Sequence, residues 1–257
     1  MGKSVTRTCQ ILKLLAENRE GLKHLQIARA LHVPSSSLSG ILPGLIHEQF
    51  LSFDETTSRY YLGPDVLVLA GNYLKNLDIV SVSRPVVRDL VKDTGESVSI
   101  SIRNRGHIVI VYIEESYHML NATLEIGTRP AMHASASGKA ILAFLSENEI
   151  AEYISSAEPV AFTPNTITDP ELLYSELTKI RSTGIAYNRE ELANQIIAMA
   201  APIFNMYGEV TASIAVSCFL MRFTAEKEKR IFDALKEAAL VISKKMGFQG
   251  LSKQQTA

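Results

Sequence analysis

The stretch that decides the fold reads Leu22-Lys-His-Leu-Gln-Ile-Ala-Arg-Ala-Leu31, then His32-Val33-Pro34, then Ser35-Ser-Ser-Leu-Ser-Gly-Ile-Leu-Pro-Gly-Leu-Ile46. Leu22, Leu25, Ala28 and Leu31 share one stripe of a first helix. Leu38, Ile41, Leu42, Leu45 and Ile46 recur at helical spacing in a second, and His32-Val33-Pro34 is the tight break between them. Two helices so joined read as a helix-turn-helix, which names duplex DNA as a partner before any chemistry is considered. The helix that should enter the groove nevertheless carries no Lys or Arg.

Outward from this pair, residues 4–17 form an amphipathic helix with Cys9, Leu12, Leu15 and Ala16 expected to face inward. Two short extended runs, 50–53 and 59–62, flank the turn formers of 54–58. Three helices and a hairpin make a winged helix-turn-helix over residues 1–63, which Gly63-Pro64 brings to a stop. A linker helix at about 65–76 fills the segment 64–77, and a further helix over 78–94 ends at Gly95, well placed as its C-cap.

After Gly95 the hydrophobic period switches from helical to alternating. Ser97-Val-Ser-Ile-Ser-Ile102 alternates, 107–113 is a more buried strand, and Asn104-Arg-Gly106 is the hairpin turn between them. Strands are also expected near 119–124, 184–188, 200–204 and 210–218, with helices at 135–145, 147–155, 170–182 and 224–246. Hairpins surrounded by helices indicate an α+β domain over 78–250 rather than a doubly wound sheet, with 251–257 as a disordered tail.

Composition narrows the function class. The chain has 257 residues, enough for two domains, with 46% hydrophobic and 21% charged residues and a net charge of −1. Residues 1–77 hold 8 Lys/Arg against 6 Asp/Glu, leaving 18 against 21 for the remainder, so the positive end is only weakly positive. DNA affinity therefore has to come from a few placed cations and backbone amides. Cys9 and Cys218 are isolated, which gives neither a disulfide framework nor a zinc cluster. No stretch reaches the roughly 18 apolar residues of a membrane span, and no signal-length apolar run opens the chain, so a cytoplasmic protein with no membrane partner is expected.

On the second helix of the pair, the face opposite the apolar stripe offers Ser36, Ser37, Ser39, Gly40, Pro43 and His47 to a groove. Pro43 lacks the amide that would bond the Ser39 carbonyl, and Gly44 adds flexibility, so a kink or an early 3₁₀ break is expected there. That would leave 35–42 as the reading turn. Serine hydroxyls bond phosphates or base edges, and Gly40 lets the backbones come close. The candidate DNA-binding set is Arg7, Lys23, Ser35, Ser36, Ser37, Ser39, Gly40 and Arg59, with Arg7 and Arg59 the foremost phosphate or minor-groove contacts.

In the second domain, the run His133-Ala-Ser-Ala-Ser-Gly-Lys-Ala140 invites a phosphate-loop reading through its Gly-Lys pair. The pattern fails at both ends, with His133 where the first Gly belongs and Ala140 where Ser or Thr belongs. A small-residue loop opening a helix instead leaves amides near Ala136 and Ser137 that suit a carboxylate. Ser135, Ser137, His133 and Glu190 form no hydrolytic set, because there is no Gly-x-Ser-x-Gly elbow, and no paired histidines offer a metal site. Neither an enzyme nor a cofactor is expected.

Several motifs in one order give the chain a family likeness. They are Ser4-Val-Thr-Arg7, Gly21-Leu22 with Ile27-Ala28-Arg29-Ala30-Leu31, Val33-Pro34-Ser-Ser-Ser37, and Tyr61-Leu-Gly63. In the second domain they are 132–143, Gly184-Ile-Ala-Tyr-Asn-Arg-Glu-Glu191 and Ala200-Ala-Pro-Ile203. In these the chain resembles the IclR (isocitrate lyase regulator) transcription factors over nearly its whole length. The resemblance implies a winged helix, a GAF-like antiparallel-sheet effector domain, and homodimers or dimers of dimers on operator DNA. It further implies effector contacts at Met119, Ala122, Ala136, Ser137, Asn188, Ala198, Ala215 and Ser217. Compared with more polar members, Asn188 stands where an acid is common, Ala198 where Cys is, and Ala215 where Ser is. A roomier, more apolar pocket follows, suited to a small organic acid with an apolar or ring portion. The expected function is effector-modulated transcription regulation. Two rivals are a sensor or adaptor that kept the fold without specific DNA binding, and a small-molecule hydrolase.

Overall fold

The computed structural model describes residues 3–75, 78–119, 122, 125–157 and 159–250. The chain divides into two compact units, Met1–Asn76 and Leu77–Ala257. The expected tail at 251–257 and most of the expected strand at 119–124 lie outside the described residues.

The first unit runs α1 (Lys3–Glu17), α2 (His24–Ala30), α3 (Ser35–His47), β1 (Leu51–Asp54), β2 (Arg59–Leu62) and α4 (Pro64–Lys75). Its core is Ile11 and Leu15 from α1, Ile27 and Ala28 from α2, Leu38, Leu42 and Leu45 from α3, and Leu51. The apolar stripes need correction at three places. Cys9 and Ala16 are exposed, and Leu25 is 60% exposed while Ile27 is fully buried. Leu22 fits the stripe by spacing but precedes the helix, which begins at His24. The Leu22 amide donates to the Tyr60 carbonyl at 3.1 Å and its carbonyl accepts from Tyr60 at 2.9 Å, so it forms a single-residue bridge to the wing.

Pro43 does not break α3. The helix is continuous from Ser35 to His47 with the proline inside it. Pro43 and Ser39 are both exposed, so the Ser39 carbonyl that loses its amide partner faces water rather than the core. Leu42 and Leu45, on either side of the proline, bury the opposite face and hold the last turn in place.

The second unit contains α5 (Asp78–Thr94), β3 (Ser97–Asn104), β4 (His107–Glu114), α6 (Ala136–Leu142), α7 (Glu147–Ala157) and α8 (Pro170–Thr183). It continues with β5 (Ala186–Arg189), β6 (Ile196–Phe204), β7 (Val210–Phe219), a 3₁₀ turn at Leu220–Arg222 and α9 (Ala225–Lys245). The five strands form one antiparallel sheet in the order β4-β3-β7-β6-β5. Gly95 closes α5 at φ +71°, its amide bonded to the Val91 carbonyl at 2.8 Å. Arg105 and Gly106, at φ +47° and +79°, make the two-residue turn that the right-handed twist of β3 and β4 favours. Thr224 caps α9 by accepting from the Lys227 amide at 3.2 Å.

Helices α5 and α9 pack together on one face of the sheet, and α6 covers the other. Beneath α6 the sheet presents small side chains, with Ala186, Ala198, Ala200 and Ala215 all buried there. Small residues under a short helix leave space, and the space is where the candidate site lies.

Candidate functional site

A cavity of ≈ 330 Å³ opens between the start of α6 and the sheet. Of the eight positions carried over from the resemblance, Ala122, Ala136, Ser137, Asn188, Ala198, Ala215 and Ser217 line it. Met119 does not. It is wholly exposed, in a segment anchored earlier at Ser116, whose amide donates to the Ser97 hydroxyl at 3.0 Å.

Several cavity residues escaped the sequence reading: Ser97, Ser99, Ile110, Ile113, Leu192 and Ile196. The serines were visible as the polar half of an alternating strand, but which face held them was not. The isoleucines depend on a β-bulge. Ile100 pairs with Tyr112 and Ser101 with Ile110, so Val111 is the extra residue and both Ile110 and Ile113 turn toward the cavity.

The start of α6 is tightly specified. The Ser135 hydroxyl accepts from the Gly138 amide at 3.1 Å and donates to the Ala131 carbonyl at 2.8 Å. A Cβ on Gly138 would collide with the backbone of Met132, so only glycine lets the loop fold back there. Lys139 is fully buried, and its ammonium lies 2.6 Å from both carboxylate oxygens of Glu191 and 3.8 Å from Glu176. That ammonium is committed to a carboxylate, as the failed phosphate-loop pattern requires.

Glu191 organises the chain after β5. Its carboxylate accepts from the Arg189 amide at 3.2 Å, and its own amide donates to Asn188 Oδ1 at 2.8 Å. Thr166 Oγ1 donates to its carbonyl at 2.6 Å, and Thr163 Oγ1 donates to the Glu190 carbonyl at 2.7 Å. Burial pushes the Glu191 carboxyl up, with Lys139 pulling the other way. This network fixes the turn that carries Leu192 and Ala193 into the cavity wall.

Of Ser135, Ser137, His133 and Glu190, the histidine that a hydrolytic set would need is occupied elsewhere. His133 is buried, with Nε2 3.0 Å from the Val160 carbonyl and Nδ1 3.0 Å from the Tyr153 hydroxyl. A carbonyl can only accept, so Nε2 is the donor to Val160. Burial pushes the Cys218 thiol up to about 11, which leaves it an inert small hydrophobe. Among the described residues no group of three His, Cys, Asp or Glu could hold a metal. No helix among them is long and apolar enough to cross a membrane.

In the first unit, Ser35, Ser36, Ser39 and Gly40 are exposed on α3, with Ser37 half-buried. A Cβ added at Gly40 would meet nothing, so packing does not demand its glycine. Arg7 is half-buried on α1, and Lys23 is exposed ahead of α2, its amide donating to Gln26 Oε1 at 2.8 Å. Arg59 is engaged within its own unit. Its Nη1 donates to the carbonyls of Glu20 at 3.1 Å and Gly21 at 2.7 Å, tying the wing to the chain before α2. A guanidinium so held serves the wing's own geometry first.

A winged helix joined in one chain to an α+β domain with an internal cavity defines a DNA-binding regulator with a sensory domain. Residues 71–244 match the bacterial transcriptional regulator IclR C-terminal family, and residues 4–55 the IclR helix-turn-helix domain. The chain belongs to the IclR family, whose members are DNA-binding transcription regulators with a C-terminal effector-binding domain and not enzymes. It is similar to the HTH-type transcriptional regulator BhcR of Paracoccus denitrificans, 30% identical over 94% of this chain and 86% of that one. It is also similar to the crystal structure of an IclR transcriptional regulator from Alicyclobacillus acidocaldarius, with TM-score 0.87 and 25% identity over 96% of this chain and 100% of that one. An IclR homolog from Microbacterium hydrocarbonoxydans, complexed with 4-hydroxybenzoate, shares the fold at TM-score 0.82 and 20% identity, covering 95% and 99% of the two chains.

Proposed function

We propose that this protein regulates transcription in the cytoplasm by binding operator DNA through α3 and its flanks, and that a small organic acid in the ≈ 330 Å³ cavity sets that binding. The observation that carries the reading is the cavity lining, largely alanine, isoleucine and serine, with Asn188 and, among the described residues, no charged side chain. Apolar walls with a few convergent polar groups are what a small-molecule site requires. Ala136 and Ser137 open α6 beside it, where free amides favour a carboxylate. The ring acid held by the Microbacterium relative supplies a first probe.

On the DNA side, exposed Ser35, Ser36 and Ser39, with the open surface at Gly40, favour phosphate and shape readout over Arg-to-guanine pairing. Arg7 on α1 and Lys23 ahead of α2 supply the cations for phosphates in this reading. Exposed Leu67, Val68 and Leu69 on α4 give the first unit apolar surface that a second copy of the chain would cover. The effector acts by binding one arrangement of the protein better than another, typically by about 1–3 kcal/mol.

A thermal-shift screen of aromatic and aliphatic acids, with hits retested for their effect on DNA affinity, tests this directly. Binding to the gene's own upstream DNA should weaken steeply with salt, as roughly 3–5 phosphate contacts per subunit demand. An α3 without Lys or Arg favours the one competing reading, an adaptor that does not read DNA. A mobility shift absent at low salt would select it.

A further inference from the structure

One row of cross-strand partners forms the cavity floor. Asn188 pairs with Ala198, Ala198 with Ser217, and Ser217 with Ser97, and all four line the cavity. At about 4.8 Å per strand, Asn188 and Ser217 are roughly 10 Å apart, and Asn188 and Ser97 roughly 14 Å. The row therefore reads polar, apolar, hydroxyl, hydroxyl, with a gap between the polar ends about the width of a ring.

The two ends differ chemically. Asn188 Oδ1 already accepts from the Glu191 amide, so the amide group is fixed in orientation and offers the cavity its Nδ2 hydrogens. Toward a ligand Asn188 is thus above all a donor, its Oδ1 being already engaged by the Glu191 amide. Its neighbours bear on charge. Glu191 carries the Asn188 cap, and its carboxylate shares Lys139 with Glu176. One ammonium against two carboxylates leaves no surplus positive charge there. Arg189, next in the chain, bonds Glu228 on α9, beneath the other face of the sheet. A carboxylate at Asn188 would meet like charge; a carbonyl would not.

Hydroxyls sit at the other end and above the floor. Ser137 is only 7% exposed, lines the cavity and makes no side-chain hydrogen bond to any described residue, although its hydroxyl is a full donor. Ser217 and Ser97 lie side by side, and Ser97 already accepts from the Ser116 amide, which leaves its own proton to give. Ser135, by contrast, has spent both functions on Ala131 and Gly138.

We infer that Asn188 is a specificity-determining residue that reads an uncharged hydrogen-bond acceptor at one end of a mono-acid lying across the strands. The acid end is left to the hydroxyls of Ser137, Ser217 and Ser97. The effector class is then a ring or short apolar spacer with one carboxylate and one carbonyl-type oxygen opposite it. Dicarboxylates of the same length are rejected. This rests on the acid-effector reading above and sharpens it.

The test uses the full-length protein and three acids of one shape: para-acetylbenzoate, para-isopropylbenzoate and terephthalate. The first carries a carbonyl where the second has a methyl and the third a second carboxylate. Calorimetry on the wild type should give para-acetylbenzoate the lowest Kd, by roughly tenfold over each of the others, the usual size of one buried hydrogen bond. Asn188→Asp keeps an acceptor for the Glu191 amide but removes the donor, and should erase the preference over para-isopropylbenzoate. Equal binding of the acetyl and isopropyl acids, or tightest binding of terephthalate, overturns the inference on wild-type protein alone. So does an Asn188→Asp protein that melts as a folded protein and keeps the preference. If a broad acid screen yields no binder at all, the acid-effector reading itself falls.

Discussion

Lys139 and Glu191 form a buried ion pair, with the ammonium 2.6 Å from both carboxylate oxygens and the lysine wholly out of contact with water. The pair joins α6 to the turn after β5, the two elements that hold Ser137 and Asn188 over the same cavity. Removing one partner strands the other without solvent. Lys139→Met should therefore cost the second unit about 3–5 kcal/mol in urea unfolding, whereas Lys139→Met with Glu191→Leu should recover most of that loss. A single variant as stable as wild type would contradict the pairing.

Ser101 and Ser213 are direct cross-strand partners on β3 and β7, and both hydroxyls are buried with no hydrogen-bond partner among the described residues. An unmet buried hydroxyl costs roughly 1–3 kcal/mol. Ser101→Ala and Ser213→Ala are each expected to raise the unfolding free energy, by about 1 kcal/mol, in denaturant titrations at constant slope. Destabilisation by both would show that the hydroxyls are satisfied in solution.

Arg59 and Arg7 should separate in their salt dependence. Arg59 holds the wing through the Glu20 and Gly21 carbonyls, so Arg59→Ala should loosen the wing and weaken DNA binding at every salt concentration alike. Arg7→Ala, if Arg7 meets a phosphate, should lower the slope of log K against log salt by about 0.9. Fluorescence anisotropy at several salt concentrations distinguishes the two.

Acid should undo two local ties. The Asp54 carboxylate accepts from Thr56 and Thr57, and these bonds lower it from 3.8 to about 2. Glu149 is lowered from 4.5 to about 2 by hydrogen bonds from Arg103 and Ser146. A carboxyl depressed on folding adds stability above its unfolded value and loses it as pH falls through the folded one. The stability gap between wild type and Asp54→Asn, and between wild type and Glu149→Gln, should therefore be present at pH 7 and close near pH 2. A gap that persists there would count against both sets of bonds.

Element types and most boundaries were legible in the sequence because period, caps and turns agreed: Gly95, Arg105-Gly106 and Thr224 all do what their residue types imply. Phase was less legible. Leu22 looks like part of the α2 stripe, yet it is extended and pairs with Tyr60, a long-range contact that no local pattern encodes. Pro43 looks like a break, yet the tertiary packing of Leu42 and Leu45 carries the helix past it. The cavity was legible through the small-residue loop at Ala136 and Ser137 and through family likeness, and incompletely. Ser97 and Ser99 reach it through strand order, and Ile110 joins Ile113 through a bulge. Neither is written in spacing along the chain.

The central claim is that occupancy of this cavity changes DNA affinity. It is tested most directly by titrating full-length protein onto its upstream DNA with and without a saturating acid found by thermal shift. Wild type and Ala215→Leu, which fills the cavity from the floor, are compared. The wild-type Kd should move by about 5–150-fold, in either direction, while Ala215→Leu binds DNA as the unliganded wild type does and ignores the acid. A wild-type Kd untouched by any acid that binds, or a filled variant that still responds, would contradict the account.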